Sequence, residues 1–193
     1  EYLSPAFYMI PPIDNSCENV IYINPGHISD DLTLFTTLAH EGYPGHLYQT
    51  TYFADSDPDL IRYLIAPDGY VEGWATYCEL FSYSYADTGN PLLNTLAQAN
   101  YATILCLYAK CDLGINALGW TENDVASYIA DFGFTDKNVA HEMYLSMVSN
   151  PGNYCAWLDW IFRIKKRSPG ADRFRVFQSG LSQIYFRYGV CAV

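Results

Sequence analysis

Basic side chains are nearly absent from the first half of this chain. Residues 1–109 carry 13 acidic side chains and one basic one, Arg62. The net charge of −11 argues against a nucleic-acid partner, because phosphate binding needs clustered Lys and Arg. No apolar run approaches the roughly 18–20 residues of a membrane span, so no spanning segment is expected. Nothing resembles a signal peptide, which by itself leaves the compartment open. The six cysteines show no CxxC spacing and outline no disulfide framework. Cys78, Cys106 and Cys155 lie in apolar helical runs and read as small buried residues, while Cys17 and Cys191 could pair. Histidine is scarce too, with four in 193 residues.

Two of those four fall within seven residues, in His40-Glu41-Gly42-Tyr43-Pro44-Gly45-His46. Neutral imidazole is the commonest protein ligand for zinc, and a Glu directly after the first His is the usual general base of zinc peptidases. In the familiar HExxH pattern the histidines stand four apart on one helical face. Here they stand six apart, which leaves the rings about 120° out of phase on a straight helix. Pro44 has no N–H to give the His40 carbonyl, and Tyr43 before it is pushed out of the α region. The segment therefore reads as a helix broken at Tyr43 to Gly45, which returns His46 to the side of His40.

A zinc peptidase needs a third protein ligand and an open fourth position. Glu72 lies 26 residues after His46 and opens Glu72-Gly73-Trp74-Ala75-Thr76-Tyr77-Cys78-Glu79. Glu72 and Glu79 are seven apart and share a helical face, but about 10 Å along the axis separates them, too far for one ion. Glu72 is assigned as ligand. Glu79 is either a supporting residue of the site, a buried ion-pair partner or a purely structural carboxylate.

The pairing of HEGYPGH-LYQ with EGWATYCE resembles the bacterial proteins grouped as domain of unknown function 885, which look like zinc-dependent peptidases. The resemblance continues through Pro11-Pro12-Ile13-Asp14-Asn15-Ser16, Ile21-Tyr22-Ile23-Asn24-Pro25, Asp112-Leu113-Gly114-Ile115-Asn116 with Gly119-Trp120, and Asn150-Pro151-Gly152-Asn153-Tyr154. It implies that His40, His46 and Glu72 hold Zn2+, that Glu41 is the base, and that Gln49 supports the site. The resembling proteins are longer, so the chain is expected to be the C-terminal metal-binding part of a longer protein, with an N-terminal helical half missing. It departs from the family's pattern at Asn116, at Trp157 to Trp160 and at Phe177-Gln178, none of them an expected ligand.

Punctuation along the chain outlines a mainly α, multi-helix single domain over residues 1–193, with one short strand element near the N-terminus, and the resemblance implies that this domain is zinc-peptidase-like. Residues 1–19 read as an extended entry and Val20 to Asn24 as the strand. Ser29 caps a helix that delivers His40 and Glu41, breaks at Pro44 and resumes to about Ala54. A short helix follows Asp57-Pro58, and the Glu72 helix runs from Asp68 to about Ala86. Pro91 opens a long helix to about Leu118, whose almost wholly apolar middle, Tyr101 to Ala109, should make it the most buried helix of the domain. Helices beginning at Thr121 and Thr135 and two more at 153–167 and 171–187 complete the pattern. The 18 Tyr and 10 Phe suit a core of helices with polar-tipped fillers. Arg163 to Arg167 is either a solvated helix end or an attractor of a substrate carboxylate. His141 and His27 read as an exposed helix residue and a loop residue. Asn153 and Tyr154 could reach a developing oxyanion or could simply start a helix.

The expected function is a zinc-dependent peptidase that hydrolyses a peptide substrate through a metal-activated water, with Glu41 as general base. The alternative is a non-catalytic remnant or interaction domain that retains the metal-binding motif.

Overall fold

The computed structural model describes residues 4–65 and 67–167; the expected helix at 171–187, Phe177-Gln178 and the Cys17–Cys191 pairing fall outside them. The described residues fall into two compact units, and the boundary between them, after Gln98, lies in the sequence of one long helix.

The first unit opens with an antiparallel hairpin of β1 (Ala6–Met9) and β2 (Val20–Ile23), registered so that Phe7 faces Tyr22 and Tyr8 faces Ile21. The sequence reading has β2 alone. A four-residue strand flanked by Pro5 and Pro11-Pro12 gives too little alternation to stand out from an extended segment. Four helices follow: α1 (Asp31–Glu41), α2 (His46–Asp55), α3 (Ile61–Leu64) and α4 (Asp68–Ser82). The first cap is Asp30 rather than Ser29, its carboxylate accepting the Thr33 amide at 2.8 Å. Ser29 instead donates its hydroxyl to Asp30. α4 stops at Ser82 and tightens into a 3-10 turn, Tyr83–Tyr85. The β1 strand and α4 pack against α1, and α2 packs against α4. The buried residues of α1 and α4 are mostly small, with Thr36 and Ala39 on one and Gly69, Gly73, Ala75 and Thr76 on the other. Small side chains let two helix axes approach closely, and that proximity positions everything at the candidate site.

The long helix α5 (Pro91–Leu118) starts at its proline as expected and stops before Gly119, whose φ of 72° glycine adopts without the strain a Cβ would bring. In its middle, Ala102, Leu105, Leu107 and Ala109 are buried while Thr103 is exposed. The second unit adds α6 (Glu122–Ala130), α7 (Lys137–Ser149) and α8 (Asn153–Arg167). Thr121 and Asp124 form the expected reciprocal cap of α6, whereas α7 is capped by Asp136 rather than Thr135. Its core gathers Cys111, Val125, Ile129, Ala140, Met143 and Met147, with Trp120 and Tyr154 packed against it. Of the three cysteines expected inside, Cys78 is buried, while Cys106 and Cys155 are half-buried.

Asp112 is the polar anchor of this unit. It is fully buried, and its carboxylate accepts the Asn116 amide at 2.8 Å and the backbone N–H groups of Gly152 at 2.9 Å and Tyr154 at 3.1 Å. Those amides open α8, where a negative charge is favoured by the helix dipole. Removing the carboxylate leaves a cavity at a fully buried position and takes the partner from three part-buried donors, each hydrogen bond to a charged group contributing about 1.5–3 kcal/mol at most. Asp112→Ala is therefore expected to destabilise the protein by about 3 kcal/mol, read from the urea midpoint; a loss below about 1 kcal/mol would mean that these amides find other partners.

Candidate metal centre

The last turn of α1 ends on His40 and Glu41, and α2 begins at His46. The helix is broken between them, as the proline requires. The Gly42 amide still closes on the Leu38 carbonyl at 2.9 Å, and the Tyr43–Pro44 bond is cis. The chain then passes so close to its own previous turn that a Cβ on Gly45 would lie 1.7 Å from the His40 carbonyl oxygen. No side chain fits there. From α4, the Trp74 indole N–H donates to the Pro44 carbonyl at 2.8 Å and the Cys78 thiol to the same oxygen at 3.5 Å. Burial pushes the Cys78 thiol up to about 12, so it remains a donor.

This turn brings the two histidines together. Their ring centroids are 4.7 Å apart, edge to face at 80°. The Glu72 carboxylate spans both rings, with Oε2 at 3.5 Å from His40 Nε2 and Oε1 at 3.6 Å from His46 Nε2. Glu79, also on α4, places Oε2 at 2.9 Å from His40 Nδ1. Separations of 3.5–3.6 Å exceed ordinary hydrogen bonds. They come close to the roughly 3.4 Å between neighbouring donors around a tetrahedral ion bound at about 2.1 Å. Two imidazole nitrogens and a carboxylate thus form a donor set that could hold a divalent cation.

Glu41 competes for the third place, since ligand atoms of His40, Glu41 and His46 lie within 4.8 Å of one another. Glu72 is the better-placed donor because its oxygens face both Nε2 atoms. Glu41 Oε2 instead accepts the Tyr8 backbone N–H of β1 at 2.8 Å. Sequence reasoning misses that contact, because a main-chain donor 33 residues away carries no side-chain signature.

The charges at the centre are strongly coupled. Burial pulls the His40 imidazolium down, but the nearby Glu72 carboxylate, the hydrogen bond to Glu79, and the charges of Glu79 and Glu41 outweigh it and hold the group up to about 10. Burial pushes the Glu72 carboxyl up, but His40 and His46 together hold it down to about 2. Without a cation, a proton on His40 balances the carboxylates around it.

The remaining expected residues have other surroundings. Gln49 donates its side-chain amide to the Tyr70 carbonyl at 3.2 Å, tying α2 to α4 two residues before Glu72. Asn153 and Tyr154 begin α8 in the second unit, where the Tyr154 ring packs on Tyr108 at 4.9 Å and on Trp157 at 5.1 Å. In that unit His141 is exposed and sits 3.1 Å from Glu122. His27 is exposed in a 3-10 turn, Pro25–His27.

Comparison with known proteins bears on the fold and the lineage. No curated protein matches the chain. A crystal structure of "the putative lipoprotein from Colwellia psychrerythraea" is similar over 83% of this chain, with 24% identity and a TM-score of 0.65. At that identity it shows a shared fold, and this chain spans 28% of that structure's length. Residues 2–158 match the family described as "Bacterial protein of unknown function (DUF885)", and the chain belongs to that family.

Proposed function

We propose that the chain is a zinc-binding hydrolase domain that cleaves peptide bonds. The observation that carries this reading is the Glu72 carboxylate set 3.5 and 3.6 Å from two imidazole nitrogens, with Glu41 beside them. His40, His46 and Glu72 would hold the ion, a set of two histidines and one glutamate that suits catalytic zinc. Bound zinc would supply Lewis-acid polarisation of a scissile carbonyl and acidify water at the open position. Glu41 takes the proton of the attacking water and returns it to the leaving amine. The Tyr8 amide holds one oxygen of Glu41, which fixes the carboxylate and leaves its other oxygen for the proton. Among the described residues no helix is long and apolar enough to cross a membrane.

A second reading, a metal-binding module without activity of its own, is favoured by one fact. The chain spans little more than a quarter of a structure of similar fold, so a longer relative has ample chain to supply further site residues.

The two readings part on mutation. Glu41→Gln removes no ligand and is expected to leave zinc stoichiometry at the wild-type level, while peptide hydrolysis falls by about 10²-fold or more. His46→Ala is expected to abolish both, read by elemental analysis and by turnover. A Glu41→Gln protein that cleaves as fast as wild type would sink the mechanism. Wild-type protein that takes up zinc but turns over no peptide would leave the binding module.

Zinc binding should also be pH-linked. The carboxylates around His40, one of the proposed ligands, hold the group up to about 10 in the cation-free protein. Binding at pH 7 must therefore expel about one proton, and affinity should rise about tenfold per pH unit below that value. Calorimetry in two buffers of different ionisation heat measures the proton directly. Zinc uptake at pH 7 with no proton released would show that His40 is already neutral in the cation-free protein, and His40→Ala would then have to decide whether it is a ligand.

A further inference from the structure

One helix grips His40 by both of its nitrogens. Glu72 and Glu79 stand two turns apart on α4, and the His40 ring, delivered by α1, lies between them. Its Nε2 faces Glu72 Oε2 at 3.5 Å and its Nδ1 faces Glu79 Oε2 at 2.9 Å. The two contacts differ in kind. The first is too long for a good hydrogen bond and is shared with His46 through the other Glu72 oxygen. The second has hydrogen-bond length, and both partners are largely buried, with side chains 14% and 11% exposed. A carboxylate can only accept, so the hydrogen in that bond belongs to Nδ1.

We propose that Glu79 is a positioning residue of the centre: by accepting the Nδ1–H of His40 it holds the ring's orientation and keeps that hydrogen in place, so that Nε2 is the nitrogen left to take a cation beside Glu72 and His46. This rests on the zinc reading above. Glu79 is not a ligand, because the ring stands between it and the place where Nε2, Glu72 and His46 converge. Nor is it only a clamp between α1 and α4. A clamp needs some polar contact at that depth, whereas orientation of a ligand needs an acceptor on Nδ1 specifically. Without that acceptor, an imidazole at neutral pH could carry its hydrogen on either nitrogen, and the tautomer protonated on Nε2 cannot bind a metal. Partners that orient a ligating histidine typically contribute 10–100-fold to metal affinity.

The test measures zinc affinity by competition with a chromophoric chelator in wild type, Glu79→Ala and Glu79→Gln. Thermal melting of each cation-free protein reports the fold separately. Glu79→Ala is expected to weaken zinc by about 10–100-fold. Glu79→Gln keeps an oxygen that can accept from Nδ1 and is expected to recover most of that loss. Nitrogen NMR of the zinc-loaded wild type should show His40 protonated at Nδ1. A folded Glu79→Ala protein with wild-type zinc affinity would overturn the proposal, as would a zinc-loaded spectrum with Nδ1 unprotonated. If Glu79→Ala does not fold, Glu79→Gln and the spectrum decide: a glutamine variant that is folded yet loses zinc by 10-fold or more overturns it. Wild-type protein that takes up no zinc would instead defeat the reading of the site, with the positioning role falling only as its consequence.

Discussion

Everything at the candidate centre depends on the chain passing within contact distance of itself between Gly42 and Gly45. A helix interrupted by Pro44 could leave in many directions. This one doubles back until residue 45 sits against the His40 carbonyl, at a distance that admits hydrogen but not carbon. That approach cancels the angular mismatch of two histidines six residues apart. It also leaves the Pro44 carbonyl outside any helical ladder, and Trp74 and Cys78 of α4 satisfy it. The same helix carries Glu72. The turn that aims His46 is therefore held by the element that supplies the third donor, and geometry and bracing are set together.

Electrostatics then tells what such a place will attract. Around His40 gather Glu41, Glu72 and Glu79, within a half of the chain whose only basic side chain is Arg62. Carboxylates removed from water need compensation, and a proton on His40 provides part of it. A divalent cation could provide more, and its donors already stand at separations near those of a coordination sphere. The contrast with Asp112 is instructive. That carboxylate is more deeply buried, but backbone amides and Asn116 surround it, so its charge is satisfied by the fold itself. Two buried acids in one chain thus lead to different readings because their neighbours differ.

Much of this was legible before any coordinates. Strong punctuation makes boundaries predictable: Pro91 starts α5, Thr121 with Asp124 starts α6, and Pro44 with Gly45 interrupts the first histidine helix. Where two cap formers stand side by side, the sequence does not choose. Ser29 and Asp30 or Thr135 and Asp136 are both competent, and the acid takes the role in each pair. Strand β1 was hidden because four residues between prolines carry almost no periodic signal. Its pairing comes from β2, and its nearness to Glu41 comes from packing on α1.

The residues themselves determined the chemistry on offer: two imidazoles, a glutamate after the first, and two more glutamates on one face of a later helix. They also determined that the first helix must break between its histidines, because proline has no amide and its ring collides with the preceding turn. Tertiary structure alone decided what those groups do to one another. Spacing along α4 puts Glu72 and Glu79 on the same face but cannot say which meets which nitrogen. That choice was made when α1 and α4 packed through small side chains and set the His40 ring between the two acids. The hold of the Tyr8 amide on Glu41 likewise belongs to the fold, since a backbone donor acquires a partner only where another part of the chain arrives.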